Sequence, residues 1–193
     1  MTSMSHDKRA VFLDRDGVLN RNVFYADTAA WESPRQPSEF ELTEGALPAL
    51  AKLRDAGFLL FLVSNQPNAA KGKSSPDALR AMHALLAAAM QAWEITFSGV
   101  FYCTHHLDYT GPCVCRKPSP YFLKQVAQEH SLSLEHCWMV GDRITDLQCG
   151  RAAGTRTAWV HTGQEPEVPS PELVDVQSAD LPEIVLHILN ARS

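Results

Sequence analysis

Short apolar runs alternate along the chain with segments whose apolar residues recur at helical spacing. The continuous runs predict buried strands over residues 10–13, 58–63, 95–102, 137–140 and 156–160. The periodic segments predict helices over residues 45–56, 77–93, 118–130 and 145–153, with a last helix over 181–191. Strands and helices that alternate in this way predict an α/β fold, in which a parallel sheet is covered by helices on both faces.

One predicted helix, over residues 77–93, is long enough to define its buried face clearly. Its apolar positions follow helical spacing and predict packing in the core: Leu79, Met82, Leu86 and Trp93. By contrast, residues 21–41 and 163–180 show no clear periodicity and are rich in proline and polar residues. We therefore expect these two segments to be loops.

Polar side chains follow the predicted strands at the points where the strands end. Asp14 and Asp16 follow the first strand, Ser64 the second and Asp142 the fourth, while Lys117 lies in the segment after the third. In open parallel sheets, ligands bind beyond the carboxyl ends of the strands. We therefore expect these groups to meet at one edge of the sheet and to form one site.

Asp14 and Asp16 are the candidate catalytic pair. One carboxylate can attack phosphorus, and a second carboxylate two residues on can protonate the leaving oxygen and then deprotonate water. The triplet by itself is as typical of a solvated turn as of a catalytic site. The buried strand before it and the order of the later motifs favour the catalytic interpretation.

The other strand-end residues suit a phosphate and a hard cation. The hydroxyl of Ser64 can hold phosphate oxygens, although this residue type is also typical of helix caps and turns. Lys117 can neutralise phosphate and hold the nucleophile in place. Asp142 supplies a carboxylate of the kind that Mg²⁺ prefers. Asp146 is expected either to be an outer acid of this site or to cap the following helix.

Cys103, His105, Cys113 and Cys115 form a compact cluster of metal-ligand residues. Three cysteines and one histidine are a typical ligand set for tetrahedral Zn²⁺, and four protein ligands leave no open position for water. We therefore expect a structural zinc site. His106 adjoins this set and competes with His105 for the ion, but the Cys-x-His spacing favours His105.

The composition limits the classes of protein to which the chain can belong. With 193 residues, of which 45% are hydrophobic, we expect one domain over residues 1–193, with a zinc loop inserted at 103–117. The formal net charge of −5 argues against a general nucleic-acid binder. Cys137 and Cys149 are expected to be reduced and buried, which together with a zinc site fits the cytoplasm. Residues 1–9 do not resemble a signal peptide, and no apolar run is long enough to span a bilayer.

Four sequence blocks together resemble the haloacid dehalogenase (HAD) superfamily of phosphatases, which use an aspartate nucleophile. They follow the order of that superfamily: FLDRDGVLN at 12–20, VSNQ at 63–66, CRKP at 115–118 and VGDRITD at 140–146. The loop with Cys-x-His and Cys-x-Cys-Arg-Lys-Pro is similar to that of a zinc-bearing branch, which contains heptose bisphosphate phosphatases and histidinol-phosphate phosphatases. The resemblance implies a Rossmann-like, HAD-like fold with a minimal cap or none.

The resemblance also implies a role for each matching residue. Asp14 would be the nucleophile and Asp16 the general acid and base. Asp14, the main-chain carbonyl of Asp16 and the side chain of Asp142 would bind Mg²⁺. Ser64 and Lys117 would bind the transferring phosphoryl group. The cysteine and histidine cluster would hold Zn²⁺.

The substrate implied by the resemblance is a small phosphorylated molecule, with Asn65 and Arg116 at positions that contact it in this branch. Residues 157–163 and the chain length favour a heptose bisphosphate, with histidinol phosphate or another sugar phosphate as the alternative. The unusual sequence PNAAKG at 67–72 and the long segment 21–41 are both expected to border the substrate, and they leave the sugar open. A catalytically silent, zinc-stabilised binding module is the alternative from another class, although the intact acids disfavour it. We expect a monomer that binds neither nucleic acid nor membrane.

Overall fold

The computed structural model describes residues 8–165 and 167–191, which form eight strands and six α-helices. The strands are β1 (Ala10–Leu13), β2 (Val23–Tyr25), β3 (Ala30–Glu32), β4 (Leu59–Asn65), β5 (Gly99–Cys103), β6 (Trp138–Gly141), β7 (Arg156–Val160) and β8 (Val176–Ser178). The helices are α1 (Ala46–Asp55), α2 (Pro76–Gln91), α3 (Leu107–Thr110), α4 (Tyr121–His130), α5 (Ile144–Ala153) and α6 (Leu181–Asn190). The single domain was predicted over residues 1–193, of which residues 1–7, 166 and 192–193 lie outside the described residues.

Six of the strands form one parallel sheet in the order β5-β4-β1-β6-β7-β8. The chain moves from β1 outward to β4 and β5, and then returns to the other side of β1 with β6. The strand order therefore reverses between β1 and β6, where an open α/β sheet forms its binding crevice. The predicted α/β fold is confirmed.

Strand β1 is apolar at every position because both of its faces are buried. Val11 and Leu13 pack in the larger core cluster, with residues of α1, α2 and α6. Ala10 and Phe12 point to the opposite face and pack with residues of α4 and α5. Alternate side chains of a strand point to opposite faces, so a strand covered on both sides has no polar position.

The predicted helix over 77–93 is only partly correct, because α2 ends at Gln91. Met82 and Leu86 are buried as predicted, whereas Leu79 is only partly buried. The prediction for Trp93 was wrong, since this side chain is 44% exposed. The chain turns back after α2, with the backbone N–H of Ile95 donating to the carbonyl of Met90, and Ile95 enters the core instead.

The segments predicted to be loops contain three short strands. β2 and β3 pair in an antiparallel hairpin within residues 21–41, and β8 adds a sixth strand to the sheet within residues 163–180. Each of these strands has three residues. Three residues are too few to produce a recognisable period in the sequence. Among the residues described, no helix combines the length and apolarity needed to cross a membrane.

Candidate active site

A cleft of about 310 Å³ opens where β1, β4 and β6 end. The predicted site residues that line it are Asp14, Asp16, Asn65, Arg116, Lys117, Asp142 and Asp146. Ser64 is not part of the lining; it is buried in β4, next to the lining residue Asn65. The structure therefore brings together at one sheet edge all the strand-end groups that the sequence singled out.

The buried ammonium group of Lys117 joins two of the acids in the cleft. Its Nζ lies 3.1 Å from Oδ1 of Asp14 and 2.7 Å from Oδ1 of Asp146, and it donates to the carbonyl of Val63 at 2.7 Å. Burial alone would lower the pKa of Lys117, but the two carboxylates outweigh this and raise it. Lys117 is therefore a fixed positive charge that holds Asp14 at the base of the cleft.

Asp142 lies beside this pair at the end of β6. Its Oδ2 accepts a hydrogen bond from Nδ2 of Asn22 at 3.1 Å and lies 3.3 Å from Nε of Arg143. Burial raises the pKa of Asp142 well above its usual range, and the neighbouring carboxylates of Asp146 and Asp14 raise it further. Asp14, Lys117, Asp142 and Asp146 are termed the acid floor below.

Two glycines allow the acid floor to pack this tightly. A Cβ atom on Gly17 would overlap the carboxylate of Asp142, and Gly17 also has a φ of +77°, which side chains disfavour. A Cβ atom on Gly141 would overlap the side chain of Asp146. Both glycines are therefore required by the close approach of backbone and carboxylate.

The acid floor fits a divalent cation. Carboxylate oxygens of Asp14, Asp142 and Asp146 lie within 4.8 Å of one another. Hard cations bind clustered carboxylates, and a cation would offset the repulsion that raises the pKa of Asp142. Asp146 is already engaged, because its Oδ1 contacts Lys117 and its Oδ2 accepts from the backbone N–H of Arg143 at 2.9 Å. The two alternatives predicted for Asp146 each correspond to one of these contacts. The contact with Lys117 is that of an outer acid of the site, and the hydrogen bond from Arg143 is that of a helix cap.

Asp16 and Ser64 lie on the other side of Asp14 and share a partner. Nε2 of Gln66 donates to Oδ2 of Asp16 at 2.5 Å and to Oγ of Ser64 at 3.0 Å. Because Ser64 accepts this hydrogen bond, its own hydroxyl proton stays available for another acceptor. Gln66 stood in one of the recognised sequence blocks, but nothing in the sequence indicated that it would join these two groups.

Asn65 and Arg116 line the cleft, as predicted for substrate contacts, and both are tied to the zinc loop. Nδ2 of Asn65 donates to the carbonyl of Lys117, and the N–H of Lys117 donates to Oδ1 of Asn65, each at 3.1 Å. Nη1 of Arg116 donates to the carbonyl of His105 at 3.1 Å. Asn65 therefore fixes the backbone of Lys117, in addition to any contact with a ligand.

The four predicted zinc ligands come together, with all ligand atoms within 4.8 Å of one another. Sγ of Cys113 lies 3.7 Å from Sγ of Cys103 and 3.7 Å from Sγ of Cys115, and Nδ1 of His105 lies 3.5 Å from Sγ of Cys115. Tetrahedral Zn–S bonds of about 2.3 Å place sulfur atoms about 3.8 Å apart, so the two separations of Cys113 fit one zinc ion. The third pair, Cys103 and Cys115, is closer, at 3.1 Å, and would have to move apart by about 0.7 Å around the ion. Burial raises the pKa of Cys103 to about 12, and a bound cation would favour its thiolate.

The remaining histidine and cysteine predictions can be compared directly with the structure. His106 turns away from the cluster: its Nδ1 accepts from the backbone N–H of Asp108 at 3.3 Å, and its ring packs on Tyr109. Cys137 and Cys149 are buried free thiols, as expected. The geometry therefore favours His105 over His106 as the ligand.

One side of the cleft comes largely from the two segments, 21–41 and 67–72, that were expected from the sequence to border the substrate, although their structure was not predicted. It consists of residues 23–36, which include the hairpin of β2 and β3, and of residues 67–74; these two segments together are termed the wall. They contribute Trp31, Glu32, Ser33, Pro67, Asn68 and Lys71 to the lining.

Polar contacts join the two segments of the wall. Nζ of Lys73 lies 2.8 Å from Oε1 of Glu32, Nδ2 of Asn68 donates to Oγ of Ser33 at 3.1 Å, and Oγ of Ser74 donates to the carbonyl of Arg35 at 2.6 Å. No pattern in the sequence pointed to these contacts, because they connect residues about 40 positions apart.

Comparison with known proteins gives consistent matches over nearly the whole chain. The sequence model of the HAD-hydrolase-like family matches residues 114–184. The chain is 32% identical over 186 residues to D-glycero-beta-D-manno-heptose-1,7-bisphosphate 7-phosphatase of Pasteurella multocida (strain Pm70), covering 92% of this chain and 97% of that enzyme. It is 30% identical over 174 residues to D-glycero-alpha-D-manno-heptose-1,7-bisphosphate 7-phosphatase of Photorhabdus laumondii subsp. laumondii, covering 86% of this chain and 91% of that enzyme.

A solved structure gives the same match in three dimensions. D,D-heptose 1,7-bisphosphate phosphatase from B. bronchiseptica, complexed with magnesium and phosphate, superposes with a TM-score of 0.78 at 28% identity. The superposition covers 96% of this chain and 99% of that structure.

Proposed function

Because this chain belongs to the heptose-1,7-bisphosphate 7-phosphatase family of HAD-like phosphatases, we propose that it hydrolyses the 7-phosphate of a D-glycero-D-manno-heptose 1,7-bisphosphate with Mg²⁺. The observation that carries the proposal is the acid floor. A nucleophilic carboxylate, a cation-binding carboxylate and a buried ammonium group converge at the carboxyl ends of β1 and β6. This combination suits phosphoryl transfer and has no evident use in a binding module.

In the proposed reaction, an oxygen of Asp14 attacks phosphorus, and the ester oxygen leaves with the bonding electron pair. Asp16 donates a proton to that oxygen, so that a neutral sugar hydroxyl departs. Water then attacks phosphorus of the aspartyl-phosphate while Asp16 takes up a proton, and the carboxylate of Asp14 is restored. The sum is one ester and one water converted to one alcohol and one phosphate.

The other residues of the site support this sequence of steps. Lys117 keeps Asp14 in place, and Ser64 can donate its hydroxyl proton to a phosphoryl oxygen. Asp14, the main-chain carbonyl of Asp16 and Asp142 would hold Mg²⁺. When bound, Mg²⁺ neutralises phosphoryl charge and fixes the geometry of in-line attack. The relative whose solved structure contains magnesium and phosphate supports this choice of metal.

A second phosphate on the substrate is supported by two cations in the lining. Lys71 and Arg116 have no carboxylate partner within salt-bridge distance among the described residues. Burial lowers the pKa of Lys71, and the nearby charges of Lys73 and Arg116 lower it further. Two positive charges held close together repel each other, and an anion bound between them offsets this repulsion. The 1-phosphate of a bisphosphate is such an anion.

Zn²⁺ is proposed as a structural ion in the cluster of Cys103, His105, Cys113 and Cys115. Its position directly before Arg116 and Lys117 means that it would shape the loop that presents these two cations.

The test is kcat/KM with Mg²⁺ on both anomers of the heptose bisphosphate, on histidinol phosphate and on several small sugar phosphates. We expect a preference of about a hundredfold, equivalent to about 2.7 kcal/mol, for one heptose anomer. The relatives carry both anomer names, so the measurement also assigns the anomer. A preference for histidinol phosphate, or equal activity on all of these esters, would contradict the proposed substrate. Asp14→Asn serves as the inactive control.

A further inference from the structure

The two oxygens of the Asp16 carboxylate lie in very different surroundings. Oδ1 accepts from three buried N–H donors: Nε of Arg15 at 3.1 Å, Nη2 of Arg15 at 2.9 Å and Nδ2 of Asn20 at 3.0 Å. Oδ2 accepts from a single donor, Nε2 of Gln66, at 2.5 Å. Arg15 and Asn20 are fully buried, so no water replaces these contacts. A proton on Oδ1 would displace one of the three N–H donors, whereas Oδ2 can accept a proton without losing a donor.

Arg15 also determines which way the amide of Gln66 points. Nη2 of Arg15 donates to Oε1 of Gln66 at 3.1 Å. A guanidinium group can only donate, so the amide oxygen must face it and the amide nitrogen must face away. The two N–H groups of Gln66 then point to Oδ2 of Asp16 and Oγ of Ser64. The orientation follows from this chemistry and does not depend on an arbitrary choice between oxygen and nitrogen.

We propose that Arg15 and Gln66 are positioning residues that restrict proton transfer to Oδ2 of Asp16 and aim it at the ester oxygen. The inference rests on the proposed function, in which Asp16 is the general acid and base. Arg15 occupies Oδ1, and Gln66 holds Oδ2 beside Ser64, at the edge of the cleft where the phosphoryl group is expected. In the first step the O–H bond at Oδ2 breaks and its proton passes to the leaving oxygen. In the second step Oδ2 takes a proton from the attacking water.

The test compares two esters that differ in their need for a proton. Glycerol phosphate releases an alkoxide, which must be protonated, whereas p-nitrophenyl phosphate releases a stable anion that needs no general acid. Gln66→Met keeps the side-chain volume and removes both donated hydrogen bonds. We expect kcat/KM for glycerol phosphate to fall at least about tenfold more than kcat/KM for p-nitrophenyl phosphate, since general acid catalysis typically contributes about a hundredfold or more.

A second readout follows the second chemical step. If Oδ2 no longer deprotonates water efficiently, the variant accumulates phosphoenzyme and shows a burst of p-nitrophenol that approaches one equivalent of enzyme. Gln128→Met, exposed on α4, is the matched control and should behave as the unsubstituted protein on both esters. Should Gln66→Met not fold, Gln66→Asn keeps a polar amide but shortens the side chain by one methylene, which withdraws both donated hydrogen bonds, and it carries the same comparison.

Equal losses on the two esters, or no loss on either, would overturn the inference, because a merely structural role has no reason to distinguish leaving groups. Failure of the proposed function gives a different result. In that case, Asp14→Asn would turn over both esters as well as the unsubstituted protein does.

Discussion

The acid floor and the wall are two sides of one cleft, but they are held together by different physical means. The acid floor lies at the ends of neighbouring parallel strands, and Lys117 and Asp146 are each at most 2% exposed. The wall consists of a hairpin with two three-residue strands and of a loop, and the two are joined through partly exposed side chains, such as Glu32 and Lys73. Asp14 and Asp142 directly follow strands of the sheet, whereas the two segments of the wall are joined to each other through side-chain contacts.

This difference suggests how the work of the site is divided. Groups that react with every phosphate ester need fixed positions, because catalysis by positioning is lost when the groups shift by about 1 Å. Groups that recognise one particular sugar can change without disturbing the chemistry, and such groups are often found on loops supported by a rigid scaffold. We therefore expect substitutions in the acid floor to affect all esters equally and substitutions in the wall to affect the heptose substrate selectively.

The largest effect is expected for Asp14→Asn. Removing the nucleophile should lower kcat by about a thousandfold or more on every ester, while the amide keeps the shape of the side chain. Steady-state kinetics on the heptose bisphosphate and on p-nitrophenyl phosphate measure the loss of kcat, and circular dichroism checks that the fold is kept. Asp55→Asn, at the exposed end of α1, is the control. Full activity of Asp14→Asn would disprove the role of the acid floor.

Lys117→Met tests whether the acid floor also depends on charge balance. Removing the ammonium group leaves Asp14 and Asp146 as buried acids without their cation, and breaking a buried pair costs about 3–5 kcal/mol. We expect this loss in the free energy of unfolding measured with urea, together with loss of turnover on all esters. Lys124→Met, exposed on α4, should change neither quantity. Unchanged stability of Lys117→Met would mean that the acid floor does not need its central cation.

Cys113→Ser tests the zinc loop, which connects the acid floor to the rim of the cleft. The protein should lose most of its bound zinc, and a loss of about 2 kcal/mol would lower Tm by about 4–8 °C in a chain of this size. Metal analysis and thermal unfolding measure the two effects. Cys137→Ser removes a buried thiol outside the cluster, so it should retain zinc. A full equivalent of zinc in Cys113→Ser would contradict the proposed ligand set.

The smallest and most selective effect is expected in the wall. Lys71→Met removes one of the two cations proposed to bind the 1-phosphate. We expect KM for the heptose bisphosphate to rise about tenfold, which corresponds to about 1.4 kcal/mol, while p-nitrophenyl phosphate is hydrolysed as before. If both substrates were affected equally, the wall would not select the heptose substrate, and the proposed difference between the wall and the acid floor would be wrong.

The sequence predicted the acid floor well because its positions depend on local rules. The boundaries of β1 agree with the prediction, those of β6 differ by one residue, and the residue after a buried parallel strand, here Asp14 or Asp142, has little choice of location. The zinc ligands could also be predicted, because the short spacing between them in the sequence brings them close together in the fold.

Residues 21–41 and 67–72 were expected to border the substrate, but the structure of the wall and the partners of Asp16 could not be predicted in this way. Gln66 reaches Asp16 from 50 residues away, and Asn22 reaches Asp142 from 120 residues away, so no local pattern marks them. Trp93 was misplaced because helical spacing continues in the sequence beyond the point where the chain turns. The monomeric state, the cytoplasmic location, the absence of nucleic-acid and membrane partners, and the single domain remain predictions.

The most direct test of the central claim is to locate the phosphoryl group on the enzyme during turnover. Rapid acid quench with the heptose bisphosphate and Mg²⁺, followed by peptide mass spectrometry, reports which side chain carries it. The account predicts a phosphoryl group on Asp14 and on none of Asp16, Asp142 and Asp146. A phosphoryl group on any other side chain would contradict the account.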